Sequence, residues 1–292
     1  MAQILGIGIA TLDIVNYVSQ YPGADDEVRA QDRRIARGGN VTNTLTVLSQ
    51  LGHACSWGGI LAQDPDSVYI QQALHRYRVD SQYCRLDPAG KTPVSYITVS
   101  QATGSRSIIH FRDLAEFDAN DFDVIPLEGF DWIHFEGRNV DETRLMLEHA
   151  RRQAVAGVIS IEIEKPREQI ETLIPLADMV FYSRNYALSQ GHETAEKFLH
   201  SQHMRYSHIE QYCAWGELGG SAVDARGTCF HADASIPPEV VDTLGAGDTF
   251  NAAIIHARLI RMDIQQSLEY ACDLAGRKCG QQGFDNLLAE TT

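Results

Sequence analysis

The string D-T-L-G-A-G-D at 242–248, followed by the small apolar run T-F-N-A-A-I-I, holds the residue types from which an anion site with its own base can be built. Gly245, Ala246 and Gly247 are small enough for their backbone N–H groups to approach an anion, and the run after them predicts a helix that begins there. A helix N-terminus adds unpaired N–H groups and a dipole that favours negative charge. Asp248 would lie beside the anion, where its carboxylate can take a proton from an incoming hydroxyl. A cradle and a base together suit phosphoryl transfer to an alcohol, a reaction in which the protein mainly positions groups and stabilises charge. The same residue types also make a plain helix cap. The length of the string, with Asp at both ends and Thr243 inside, favours the functional reading.

Other polar residues sit where strands should end. Asp13 closes the first apolar run, and ligands of open parallel sheets bind beyond the carboxyl ends of strands. Taken alone it reads better as an ordinary turn aspartate. Gly38-Gly39-Asn40 would let backbone approach a ligand rich in hydroxyls, with Asn40 and Asn43 hydrogen-bonding it, and Asn40 could also cap the helix that follows. Amides and carboxylates suit such a ligand, because each buried polar group left unpaired costs about 1–3 kcal/mol. Arg106, after Gly104-Ser105, and Lys165, after Glu164, are candidate phosphate partners or ordinary surface ion-pair members. Two patterns are decoys. Gly6-Ile-Gly8 lacks the third glycine of a dinucleotide fingerprint and precedes a strand-like segment, and Gly90-Lys91-Thr92 lacks the first glycine of a P-loop.

The elements that would position these residues alternate along the chain. Strands are expected at Ile4–Ala10, Ser56–Leu61, Trp132–Phe135, Val158–Ile163, Met179–Tyr182 and near Ala222 and Cys229. Helices are expected over 40–51, 64–77, 141–156, 167–174, 185–200, 246–262 and 264–281. That rhythm predicts an α/β fold with a parallel sheet covered on both faces. The β-rich pieces at 15–35 and 82–112 break the rhythm and read as a small separate sheet, a lid. The segment before Cys213 should be a central strand, yet it carries Glu210 and Gln211, which must be exposed or paired.

Composition narrows the function classes. A chain of 292 residues with 44% apolar and 22% charged residues can bury a full core. The net charge of −15 argues against nucleic acid or an anionic membrane surface as partner. Positive charge for a nucleotide must therefore be local, and Arg106, Arg138, Lys165 and Lys278 are the candidates. The six cysteines and eleven histidines are dispersed with no metal-site spacing, as in a reducing compartment. No secretory leader and no long apolar run is evident, so the expected location is cytoplasmic.

The 242–248 string, together with R-G-G-N-V-T-N-T-L-T-V-L-S-Q-L-G at 37–52, resembles the two signatures of the ribokinase/PfkB sugar-kinase family. Further matches point to its ketohexokinase branch: Y-P at 21–22 with Asp25 and Glu27, G-S-R at 104–106, and W-I-H-F-E-G-R-N at 132–139. E-I-E-K-P-R-E at 162–168, C-A-W-G-E at 213–217 and G-R-K-C-G-Q-Q-G-F-D at 276–285 continue the series. The resemblance implies a three-layer ribokinase-like α/β/α domain over residues 1–292, with a discontinuous β lid from about 14–36 and 92–112. It implies ATP as phosphoryl donor, Mg²⁺ carried with it, K⁺ near Asp242 and the Leu244 backbone, and a ketose acceptor, D-fructose phosphorylated at its 1-hydroxyl. In its terms Asp248 is the base, Gly245, Ala246 and Gly247 the cradle, and Arg106 the phosphate-facing cation. Asp13, Gly39, Asn40 and Asn43 hold the sugar, with Asp25 reaching a neighbouring subunit's sugar where two lids clasp in a homodimer. Lys165, Trp215, Glu217, Gly219, Cys272, Gly276 and Gly280 fall in the nucleotide region. The N-x-x-E pattern that many members tie to Mg²⁺ is absent, since 183–186 reads S-R-N-Y. A different sugar, a sugar acid, a nucleoside, or a non-catalytic sensor on the same fold are the alternatives.

Overall fold

The structure is a computed structural model that describes residues 1–153 and 157–288. Nine strands form the main sheet. From one edge to the other they are Cys229–Ala232, Gly220–Val223, Glu210–Ala214, Met179–Ser183, Val158–Ile163, Trp132–Glu136, Gln3–Ile7, Ala54–Gly58 and Val79–Asp80. Gly220–Val223 runs antiparallel to both of its neighbours, and every other adjacent pair is parallel. Alternate residues of the central strands enter opposite cores, as a sheet covered on both faces requires. Ile4 and Trp132 pack with the helices Asn40–Gln50, Ala246–Leu259 and Ile264–Cys279, whereas Leu5, Ile133 and Phe135 pack with Val140–Arg152 and Ala195–Arg205. The expected three-layer α/β/α arrangement is therefore present.

The lid is a separate four-stranded sheet in the order Asp32–Gly38, Thr11–Val18, Lys91–Ser100, Arg106–Asp113. Its register decides what faces the body. Asp13 stands opposite Ala36 and Ser95, Val15 opposite Arg34 and Ile97, and Tyr17 opposite Val99, which pairs with Arg106. With side chains alternating along each strand, Asp13, Arg34 and Arg106 share one face. The neighbouring row, Ile35, Ile14, Tyr96 and Ile109, shares the other.

Several boundaries differ from expectation for physical reasons. Ser56–Leu61 is not one strand. The chain breaks at Gly58-Gly59, and Ile60–Ala62 leaves the main sheet to pair with Arg85–Asp87. The helix expected at 167–174 is a 3₁₀ segment, Ile170–Leu176, with Pro175 inside it, consistent with proline's missing donor. The segment 28–31 precedes the lid strand rather than belonging to it. The helix expected over 141–156 runs from Val140 to Arg152, and 154–156 lie outside the described residues. Asn40 is not the cap of its helix: Gly39 takes that position and Asn40 begins the helix with its side chain used elsewhere. The polar strand is central, and its polar groups are paired. Buried Gln211 accepts from Tyr182 Oη at 3.1 Å and donates to the Tyr206 carbonyl at 3.3 Å, while Glu210 takes Tyr212 Oη at 2.6 Å and Arg258 Nε at 3.1 Å.

Candidate active site

The helix Ala246–Leu259 starts at the transfer string, with Gly245 as N-cap at φ 81°. That left-handed value suits glycine, and a Cβ there would also lie 2.3 Å from the Phe284 ring. The N–H groups of Gly245, Gly247 and Asp248 find no acceptor among the described residues. Ala246 departs from expectation, because its N–H reaches the Thr243 carbonyl at 3.3 Å. A Cβ on Gly247 would meet nothing within 4 Å, so space lies open where an anion would sit.

Asp248 is 7% exposed and accepts from Asn43 Nδ2 at 2.7 Å, the two side chains meeting between the helices Asn40–Gln50 and Ala246–Leu259. Burial pushes its carboxyl up to about 8 against the pull of the Asn43 bond, and the nearby charges of Glu164 and Glu136 add to the rise. A raised carboxyl whose hydrogen-bond donor, Asn43, lines a cavity has the proton affinity of a general base. Asp13 is also raised, chiefly by burial, although Thr11 Oγ1 donates to it at 2.8 Å. Asp13, Asn43, Arg34, Arg37 and Leu244 line a cavity of about 430 Å³ between the lid's inner face and the body. Asn40 Nδ2 donates to Glu162 Oε2 at 3.0 Å, and Asn251 Nδ2 donates to Glu162 Oε1 at 3.0 Å.

From the lid, Arg106 Nη1 donates to Thr243 Oγ1 within 242–248 at 2.9 Å. Arg37, buried and with its pKa lowered to about 10 by burial, donates to Thr42 Oγ1 at 2.5 Å and Thr46 Oγ1 at 2.9 Å. The charges of Asp13 and Asp248 both favour its charged form. Asp25 is exposed in the loop before the second lid strand, at φ 62°.

The residues assigned to the nucleotide are distributed differently. Trp215 is 4% exposed within the core, and Glu217 pairs at the surface with Arg184 at 2.9 Å. Lys165 is exposed beside Glu164 at 3.4 Å. Gly219 closes a tight turn, and Cys272 Sγ donates to the Ala232 carbonyl at 3.6 Å. A Cβ on Gly276 would stand 1.9 Å from the Ser235 carbonyl oxygen. Arg138 is paired with Glu116 and Glu136, and Lys278 is fully buried, so neither offers a free charge to a nucleotide.

Two metals were expected, and the residues answer differently for each. At 183–186, Ser183 caps a short helix, and no group of three His, Cys, Asp or Glu able to hold a metal exists among the described residues. Asp242 does not fit the expected K⁺. Its Oδ1 takes the Leu244 N–H at 3.0 Å, and its Oδ2 takes Arg34 Nη2 and the Gly283 N–H, each at 3.1 Å, with Lys278 Nζ at 3.3 Å. Burial would raise this carboxyl, but Lys278 and Arg34 outweigh it and hold it below the usual range.

Arg34, Arg37, Glu162 and the inward Lys278 are the residues that sequence reasoning missed or misplaced. Arg37 stood inside R-G-G-N, and its neighbours Thr42 and Thr46 at helical spacing were the available signal. Glu162 stood in the quoted E-I-E-K, where its burial at a strand end could have drawn notice.

The fold is ribokinase-like, and the matches that follow place the chain among phosphotransferases that act on an alcohol group. The family model "pfkB family carbohydrate kinase" matches residues 1–291, and the chain belongs to that family. It is 39% identical to ketohexokinase from mouse over 98% of this chain and 99% of that one. It is 25% identical to an ATP-dependent ribose-1-phosphate kinase from Halopiger xanaduensis, covering 97% and 94% of the two chains. Among solved structures, an Arabidopsis thaliana ribokinase complexed with ribose and ATP superposes with a TM-score of 0.81 at 18% identity, covering 97% of this chain and 94% of that one. No helix among the described residues is long and apolar enough to cross a membrane.

Proposed function

We propose that the protein transfers the γ-phosphoryl group of ATP to a ketose hydroxyl, with D-fructose as acceptor and fructose 1-phosphate as product. The observation that carries this reading is the Asn43–Asp248 pair at the head of a helix whose Gly245 and Gly247 amides are free. Asp248 takes the hydroxyl proton, and the amides of Gly245 and Gly247 meet the charge that grows on the transferring group. Arg106 adds positive charge from the lid. Asp13 and Asn43 hold the sugar hydroxyls, with Asn40 braced by Glu162 beside them. Mg²⁺ enters with the nucleotide. The 39% identity to mouse ketohexokinase supports the ketose.

A second reading, an acceptor that carries an acidic group, is favoured by Arg34, Arg37 and Arg76 in the wall of the cavity. The deciding experiment is a coupled ADP-release assay over ketoses, aldoses, sugar acids, sugar phosphates and nucleosides. D-fructose should give the highest kcat/KM. Preference for ribose 1-phosphate, a sugar acid or a nucleoside would replace the ketose assignment, and binding with no ADP release would replace the enzyme with a sensor.

The same reading makes the protein a homodimer through its lids. Ile35, Tyr96 and Ile109 are 39%, 47% and 73% exposed on the face away from Asp13, an apolar row of the kind that marks a protein contact. Asp25 would then reach the partner's sugar. A monomer in light scattering at micromolar concentration would remove that role.

A further inference from the structure

Two arginines from different lid strands land on consecutive residues of the transfer string. Arg34 Nη2 donates to Asp242 Oδ2 at 3.1 Å, and Arg106 Nη1 donates to Thr243 Oγ1 at 2.9 Å. Strand register puts both on the face that carries Asp13. Lys278, on the helix Ile264–Cys279, comes from the body with no exposed surface. Its Nζ donates to the Asp242 carbonyl at 2.8 Å and stands 3.3 Å from Oδ2. The carboxylate also takes the N–H groups of Leu244 at 3.0 Å and Gly283 at 3.1 Å. One side chain thus joins the lid, the last long helix, the loop beyond it and the cradle turn.

A carboxylate set between two cations is a weak device for stability, since desolvation offsets most of the attraction. It is a strong device for geometry, because each partner fixes the position of the others. Lys278 also lies 5.5 Å from the centre of the Phe284 ring, and that ring bounds Gly245. We propose that Asp242 is the joint through which the lid fastens onto the anion cradle, with Arg34 as the positioning residue that carries lid closure to the turn. The monovalent cation expected beside Asp242 has no part in this joint, whose charge is already met by Arg34 and Lys278. When the lid lifts, Arg34 releases Oδ2, and the carboxylate that anchors the Leu244 amide is left with Lys278 and the Gly283 N–H as its other partners. When the lid closes, Arg34 and Arg106 together set 242–245. Displacement of a reacting group by about 1 Å costs on the order of 10²-fold in rate, so such a joint bears on turnover.

Amide hydrogen exchange on the unliganded protein tests this without any substrate, so a wrong sugar assignment does not affect the outcome. In Arg34→Met, Asp242 keeps Lys278 and two N–H donors, and the fold should hold. Exchange at Leu244, Ala246 and Gly283 is expected to accelerate at least fivefold, together with the lid hairpin at 100–106, while amides within 264–279 stay unchanged. Arg34→Lys should restore most of the protection at Leu244 and Gly283. On whichever acceptor the protein phosphorylates, Arg34→Met should lower kcat about tenfold with the KM for ATP within twofold. Acceleration confined to the lid, with Leu244, Ala246 and Gly283 unaltered, would overturn the joint. So would protection that Arg34→Lys fails to restore.

Discussion

The residues proposed to hold the acceptor and those the resemblance assigns to the nucleotide are built on different plans. On the acceptor side Asp13, Asn43 and Asp248 are fixed by hydrogen bonds, and burial raises the proton affinity of both carboxyls. On the nucleotide side Gly219, Cys272 and Gly276 all abut the one stretch Ala232–Ser235, while Trp215 packs in the core. The first set holds chemistry in side chains. The second holds the shape of a surface, and its residue types are set by how closely the backbone segments approach. A substitution on the acceptor side should therefore alter proton transfer or sugar affinity, and one on the nucleotide side should alter stability first.

The largest effect expected from this contrast is at Asp248. Asp248→Asn keeps the Asn43 contact in shape and removes the base, and kcat should fall by about 10²–10⁴ with the KM for ATP within threefold. Steady-state kinetics over both substrates checks it; turnover retained within tenfold would end the base assignment. Next comes Asp13→Ala, which leaves Thr11 Oγ1 without its acceptor and should raise the sugar KM by about 5–150-fold, equivalent to about 1–3 kcal/mol, with ATP affinity unchanged. Equal losses for sugar and ATP would erase the separation of the two sides.

The pH profile sharpens the same contrast. Because only the carboxylate form of Asp248 accepts a proton, kcat/KM should climb about tenfold per pH unit below about 8 and level off above it. Stability runs the opposite way. The folded-state pKa of Asp248 is raised from 3.8 to about 8, so its contribution is full below 3.8 and is lost as pH rises toward 8. Asp248→Asn should accordingly raise Tm more at pH 8 than at pH 5, as calorimetry would reveal. A flat activity profile between pH 6 and 8, or a Tm gain that shrinks with pH, would contradict the burial that sets this group apart.

The sequence made the acceptor side legible because its chemistry lies in short strings of unusual residue types. D-T-L-G-A-G-D and R-G-G-N declare a helix start, small residues and a base without reference to the rest of the chain. The alternation of apolar runs declared the parallel sheet, and Glu210 and Gln211 could be flagged as polar groups in need of partners. Long-range pairings were not legible. Nothing local says that Lys278 turns inward to a carbonyl 36 residues earlier, or that Arg34 on the lid meets Asp242. Asn40 looked like a cap because local propensity favours it there, whereas tertiary contact gave its amide to Glu162, 122 residues away. Gly276 entered the nucleotide region through the resemblance alone, and close approach to a ligand and close approach to Ser235 leave the same mark on a sequence.

The smallest effect is expected where the resemblance named a residue and the geometry gives it little to do. Glu217 is paired with Arg184 at 2.9 Å, and its side chain is 67% exposed. Exposed pairs contribute about 0–1 kcal/mol, so Glu217→Ala should shift Tm by less than about 2 °C. If the nucleotide is held chiefly by the free amides at Gly245 and Gly247, as the contrast between the two sides implies, Glu217→Ala should also leave the KM for ATP within twofold. Gly247→Pro, which deletes one of those N–H groups at a position proline can occupy in a first helical turn, should raise it instead. Measuring ATP affinity for the two variants side by side ranks backbone against side chain directly. An order reversed from this one would mean that the nucleotide region carries chemistry in its side chains after all, and that the division between the two halves of the site does not hold.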